Sequence, residues 1–181
     1  PVVADISKTL DEAASAEINV SGTDAEGAIL VYEIVTAPSN GTFTLNSSTG
    51  IGYYTHNGSE TISDSVVVRA KESSENVYSS NATITLTVNA VNDSPVSPDS
   101  AITLDEGTSS FSTSFGASDA ETSSVTINVT SQGSYGSAVV SGGDFVYTHD
   151  GSESTSDTFT YSTSDGTLST TGTITVTINP V

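Results

Sequence analysis

The sequence predicts an all-β protein: two tandem Greek-key β-sandwiches of seven strands each, arranged end to end. The first observation behind this is repetition. Leu10-Asp11-Glu12 returns as Leu104-Asp105-Glu106, and Asp24-Ala25-Glu26 as Asp119-Ala120-Glu121. Thr55-His56-Asn57-Gly58-Ser59-Glu60 returns as Thr148-His149-Asp150-Gly151-Ser152-Glu153, and Ser63-Asp64 as Ser156-Asp157. Self-similarity in one order and at nearly one spacing marks a building block used twice. The second observation is period-two alternation of apolar with polar residues, rich in β-branched types and without a sustained helical period. The third is punctuation by turn residues: Gly22, Pro38-Ser39-Asn40-Gly41, Ser48-Thr49-Gly50, Asn57-Gly58, then Gly116, Gly142-Gly143, Asp150-Gly151 and Asp165-Gly166. An up-and-down barrel is the alternative closure of the same pattern.

The repeat places one module at residues 1–93 and the second at 94–181. In the first, a strand near Ile6–Leu10 opens the sandwich. Inward positions then follow at Ala16/Ile18/Val20, Leu30/Tyr32/Ile34, Phe43/Leu45, Ile51/Tyr53, Val66/Val68/Ala70 and Ala82/Ile84/Leu86/Val88. In the second, a strand near Ala101–Leu104 is followed by Phe111/Phe115, Val125/Ile127/Val129, Ala138/Val140, Phe145/Tyr147, Phe159/Tyr161 and Ile174/Val176/Ile178.

Composition narrows the function classes. With 34% hydrophobic residues over 181, each module of roughly 90 residues can bury a thin core. The net charge is −19, and all three basic residues, Lys8, Arg69 and Lys71, lie in the first module. Such a surface has nothing to neutralise phosphates, which excludes nucleic acid as a partner, and it is not drawn to an anionic membrane. The absence of Cys excludes disulfides and thiolate metal sites. No stretch is long and apolar enough to span a bilayer, and Pro1-Val2-Val3 does not look like a signal peptide, so the chain reads as an excised piece of a longer protein.

Strand parity then gathers the acids. If each strand runs antiparallel to the one before, successive connections alternate between the two ends of a sandwich. Asp11, Glu12, Asn57, Glu60, Asn92 and Asp93 fall at the far end of the first module, and Asp119, Glu121 and Asp165 at the near end of the second. End-to-end stacking would bring these oxygens together at the junction, at a repulsive cost of about 1–4 kcal/mol per carboxylate pair at roughly 4 Å. No Lys or Arg is at hand to relieve it. Calcium is the natural counterion, taking six to eight oxygen ligands in loose geometry, whereas Mg²⁺ wants a tighter octahedron and transition metals want imidazole or thiolate. Asp24, Glu26 and Glu72 at one free end, and Asp105, Glu106, Asp150 and Glu153 at the other, form half-sites that await neighbouring repeats of the same chain.

At these residues the chain resembles the bacterial cadherin-like tandem repeats of large surface adhesins and, more distantly, cadherin extracellular domains. The cadherin pattern has an early-strand Glu, matched by Glu12 and Glu106. Its acidic element before a Tyr-bearing strand is matched by Asp24-Ala25-Glu26-Gly27 with Tyr32, and by Asp119-Ala120-Glu121 without the Gly. Its Ala-x-Asp is approached by Ala70-Lys71-Glu72, with Glu for Asp, and Thr163-Ser164-Asp165, with Thr for Ala, and its linker by Asn89-Ala90-Val91-Asn92-Asp93-Ser94-Pro95. Asn89 and Ser94 depart from the linker pattern, so the resemblance implies one or two calcium ions per junction rather than a full set. Asp157–Gly166 further resembles the most recognisable strand of the bacterial repeats.

The resemblance and the acids together imply a non-enzymatic extender segment of a secreted, cell-surface adhesin, monomeric in itself. Calcium would stiffen it, in support of cell adhesion or biofilm formation. Its host or biofilm ligand is not legible. Glu17, Glu33, Asp99 and Asp144 read as solvating surface acids, and His56 and His149, in one repeated slot beside a turn, as turn packing. No Gly-x-Ser-x-Gly elbow stands out, and duplicated modules without a pocket-forming insert argue against paired-acid glycoside hydrolysis. The alternative function is ligand binding, to a glycan or peptide or beside an extracellular hydrolase, with Tyr54, Tyr78 and Tyr135 as exposed candidates. Homophilic adhesion is a third, without the N-terminal Trp that some animal cadherins use.

Overall fold

In the computed structural model, residues 1–112 and 116–181 are described, and the expected inward positions Phe111 and Phe115 fall outside the described side chains. The chain forms two compact units, Pro1–Val91 and Asn92–Val181. Every regular element among the described residues is a strand.

The first unit contains β1 (Val2–Val3), β2 (Ile6–Asp11), β3 (Ser15–Asn19), β4 (Gly22–Thr23), β5 (Leu30–Thr36), β6 (Gly41–Leu45), β7 (Ile51–His56), β8 (Ser63–Glu72) and β9 (Ala82–Asn89). One sheet runs β2-β9-β8-β5 and the other β3-β7-β6, with β1 and β4 adding a two-residue ladder. All pairings are antiparallel except β2 with β9. That single parallel pair is what strict alternation demands, since the first and seventh main strands then run the same way. The second unit repeats the plan with β10 (Ser100–Asp105), β11 (Ser109–Ser112), β12 (Thr126–Ser131), β13 (Gly136–Ser141), β14 (Asp144–His149), β15 (Ser156–Ser164) and β16 (Ser169–Asn179). Its sheets run β10-β16-β15-β12 and β11-β14-β13, again with one parallel pair. The all-β sandwich class is thus as the alternation predicted.

Each core lies between its own two sheets. In the first it is aliphatic around Tyr54: Ile18, Val20, Val66, Val68, Ile84, Leu86 and Val88. In the second it is aromatic. Tyr147 stacks on Phe159 at 5.9 Å and 8°, and Phe145 meets Tyr161 edge-on at 4.9 Å.

Five sequence assignments need correction. Ile51 and Tyr53 face solvent, at 39% and 51% exposure, while Gly52, Tyr54 and His56 face inward; Tyr54, expected to be exposed, is fully buried. The cause is Gly52. It offers no side chain to read, yet a Cβ there would lie 2.4 Å from the Phe43 ring. Phe43 of β6 therefore fills the space that Phe145 of β14 fills in the second unit, where Ala138 stands opposite Tyr147 as Phe43 stands opposite Tyr54. Ile34 lies beside a bulge in β5 and is exposed, as is Val140 on the edge strand β13.

Candidate metal centre

In the first unit, the turn after β2 and the loop after β7 share one end. The turn closes with Ala14 N–H donating to the Asp11 carbonyl at 3.1 Å, and its third residue, Ala13, sits at φ 56°. Glu12 leaves this turn buried, at 8% exposure. One Glu12 oxygen accepts from Val91 N–H at 3.3 Å, and among the described residues no Lys or Arg pairs with it. A Glu60 carboxylate oxygen lies within 4.8 Å of one from Glu12. Asn57 caps the same loop through Ser59 N–H, and Asp11 accepts from the Asn89 amide at 2.9 Å. A carboxylate this buried, near a second one and without a cation, fits an all-oxygen site for a hard cation.

At the other end of this unit, Asp24 Oδ1 accepts from Glu26 and Ala28 N–H, and its Oδ2 lies 3.0 Å from the Pro1 amine. The Ala28 N–H and then the Pro1 amine hold the Asp24 pKa below its ordinary value. Asp24, Glu26 and Glu72 do not bring three oxygens within 4.8 Å of one another.

In the second unit, the segment after Val91 is fastened to the acid-bearing loops. Asn92 donates to Asp165 Oδ2 at 2.7 Å, and Asp93 N–H to Glu121 Oε1 at 3.2 Å. Asp165 Oδ1 also accepts from Thr167 and Leu168 N–H, and the Asn92 contact leads the causes that lower its pKa. Asp119 Oδ1 caps Glu121 and Thr122, while its Oδ2 is buried without a hydrogen bond among the described residues. Such an orphaned carboxylate oxygen is expensive unless a cation answers it. Asp105 accepts from Asn179, Asp150 caps Ser152, and Glu106 and Glu153 complete the far-end set; no three of these four acids converge within 4.8 Å. The Ser152 contacts lower the Asp150 pKa.

Sequence reasoning placed His56 and His149 in turn packing but missed their ties to a second loop, and it missed the Val91 N–H on Glu12 and the Asp64 and Asp157 latches. A repeated His-x-Gly and a repeated Ser-Asp were the available signals. Beyond the acids, Tyr78 is 41% exposed beneath the Arg69 guanidinium, 4.1 Å from the ring centre, and Tyr135 is 44% exposed. Arg69 also pairs with Glu33.

Among solved structures, mouse cadherin-23 EC22-24 is similar at TM-score 0.60 and 19% identity, over 99% of this chain and 65% of that one. Human protocadherin-24 EC1-2 is similar at 0.55 and 14%, over 99% and 100%. An endo-fucoidan hydrolase of glycoside hydrolase family 107 matches at 0.41 and 20% over 98% of this chain, which spans only 28% of that protein. No curated protein matches the chain. Among the described residues no helix is long and apolar enough to cross a membrane. Family models match each unit in turn, the bacterial Ig domain over residues 1–87 and the bacterial cadherin-like domain over residues 92–180. Residues 1–87 therefore belong with the bacterial Ig domains and residues 92–180 with the bacterial cadherin-like domains, families that are typically extracellular and generally non-catalytic.

Proposed function

We propose that this chain is a structural extender segment of a cell-surface bacterial adhesin, stiffened by calcium where its two modules join and serving cell adhesion or biofilm formation. The observation that carries the reading is Glu12: a buried carboxylate, close to Glu60, with no Lys or Arg paired to it among the described residues. Glu12, Glu60, Asp11 and Asn57 from the first module, Asn92 and Asp93 from the segment that joins the two, and Asp119, Glu121 and Asp165 from the second supply the oxygens. Bound calcium offsets their mutual repulsion and holds them in one geometry. Neighbouring donors contribute orientation: the Asn89 side chain fixes Asp11, the Val91 backbone N–H fixes Glu12, and the Asn92 side chain fixes Asp165. The partners are neighbouring repeats of the same chain and a host or biofilm ligand bound by the whole protein.

Calorimetric calcium titration with small-angle scattering tests this. Calcium should raise the maximum dimension of the parent, and Glu12→Gln with Asp119→Asn should abolish that rise. Identical scattering by parent and double variant, with and without calcium, overturns the mechanism.

A ligand-binding role is the second reading. Tyr53 and Ile51 wall a shallow groove with Thr44, Leu45, Asn46 and Thr49, and Tyr53 donates to Glu17 at 2.7 Å. Glycan-array binding lost on Tyr53→Ala would favour it.

A further inference from the structure

We infer that His56 and His149 are positioning residues, each imidazole setting where the acids of two loops in its own unit stand. The inference rests on the calcium reading for its consequence but on hydrogen-bond geometry for its substance. His56 ends β7 and is 3% exposed. Its Nδ1 accepts from Ala13 N–H at 3.4 Å, directly after Glu12, and from Gly58 N–H at 3.3 Å, two residues before Glu60. A nitrogen that takes two donors carries no proton, so the ring's single N–H is on Nε2. It points at Thr61 Oγ1 at 3.0 Å, which lies 3.0 Å from Ser59 Oγ. The His56 backbone N–H donates to the Ala14 carbonyl at 3.0 Å, closing the tie from the other side.

The second unit rebuilds the same device from different residues. His149 Nδ1 accepts from Gly107 N–H at 3.1 Å, after Glu106, and from Gly151 N–H at 3.3 Å, before Glu153. Its Nε2 meets Ser154 Oγ at 2.9 Å, and its backbone N–H donates to the Thr108 carbonyl. Thr61 becomes Ser154 and Ala13 becomes Gly107, yet the hydroxyl and both backbone donors persist. Packing alone needs a ring of that size. It does not need one lone pair shared between two loops whose neighbouring residues are Glu. Glu12 and Glu60 repel one another at their separation, and untied loops would relax outward; the tie holds them where a cation can bridge them.

The test uses the full chain with two substitutions of opposite geometry. His56→Asn puts an amide oxygen near the Nδ1 position and keeps the two-loop acceptor. His56→Gln reaches only the Nε2 position and loses it. Calorimetric titration with calcium chloride should show affinity falling about tenfold or more in His56→Gln, as for lost supports of metal ligands, while His56→Asn retains most of it. Amide hydrogen exchange without calcium should lose protection at Ala13 and Gly58 together in His56→Gln, and at Gly107 and Gly151 instead in His149→Gln. Parent-like calcium affinity in a folded His56→Gln overturns the inference, as does loss of protection throughout the unit. A parent that takes up no calcium overturns the extender mechanism, while the exchange measurement still decides the two-loop tie, so the two failures are told apart.

Discussion

Asp64 and Asp157 occupy one slot in the two units and make the same latch. Asp157 is 7% exposed; Oδ1 accepts from Ser134 and Thr158 N–H, and Oδ2 from Tyr135 N–H and the Tyr147 hydroxyl at 2.6 Å. Asp64 does likewise with Ser39, Asn40, Ser65 and Tyr54. Burial opposes ionisation of each, but the donors outweigh it and hold both pKa values below the ordinary aspartate value. Burial, then the facing carboxylate, pushes the Tyr54 and Tyr147 hydroxyls up. A depressed folded pKa contributes stability that is complete above the unfolded value of about 3.9 and is lost as pH falls through the folded one. Asp157→Asn should cost about 2–3 kcal/mol in urea unfolding at pH 7. Because acid also relieves the general repulsion, the gap between parent and variant isolates the latch. That gap should shrink below about pH 4, and a constant gap down to pH 2 would refute the assignment.

Ala13 offers a second test at this scale. It holds φ 56° at a turn position where the second unit has Gly107 at 68°. Ala13→Gly should raise stability by about 0.5–1 kcal/mol, left-handed strain relieved exceeding backbone entropy lost, and Gly107→Ala should lower it similarly, since no neighbour crowds its Cβ. A lower denaturation midpoint for Ala13→Gly would contradict this.

At the level of strands, the two cores are filled by different routes. The first takes its ring from β6 (Phe43 beside Gly52), the second from β14 (Phe145 beside Ala138). Phe43→Ala should cost about 2–4 kcal/mol. Adding Gly52→Phe to Phe43→Ala should recover part of that loss, with a coupling of about 1–3 kcal/mol in a double-mutant cycle; additivity would show that the two positions do not share the space. This exchange is also why parity failed at Ile51/Tyr53. A run of Ile-Gly-Tyr-Tyr alternates in either register, and only the neighbouring strand tells which face is core. Elsewhere, in Val66/Val68/Ala70 and Ile174/Val176/Ile178, polar partners alternate cleanly and the inward face was legible.

For the whole molecule, charge is the governing quantity. With 22 acidic residues against three basic ones, unfolding temperature in chelator should climb as sodium chloride rises from about 0.01 to 0.15 M, because the screening length shortens from about 30 to 8 Å. Millimolar calcium should exceed that rise at equal ionic strength, and chelator should reverse the difference. Equal effects of calcium and matched sodium would reduce the acids to solvating charge.

Repetition, alternation and turn residues determined the sandwich plan, the strand order in time and which loops share an end, because all of these follow from period-two geometry along the chain. The resemblance carried by short acidic motifs pointed to the bacterial cadherin-like family, and the bacterial Ig match of residues 1–87 was not among its readings. What only tertiary structure decided was contact between strands distant in sequence: the Phe43–Gly52 exchange, the carboxylate latches under Tyr54 and Tyr147, and one imidazole nitrogen taking donors from two loops. The first depends on side-chain volume shared between strands and the others on which backbone N–H groups are left unpaired once the sheets close, and no local pattern of residues records either.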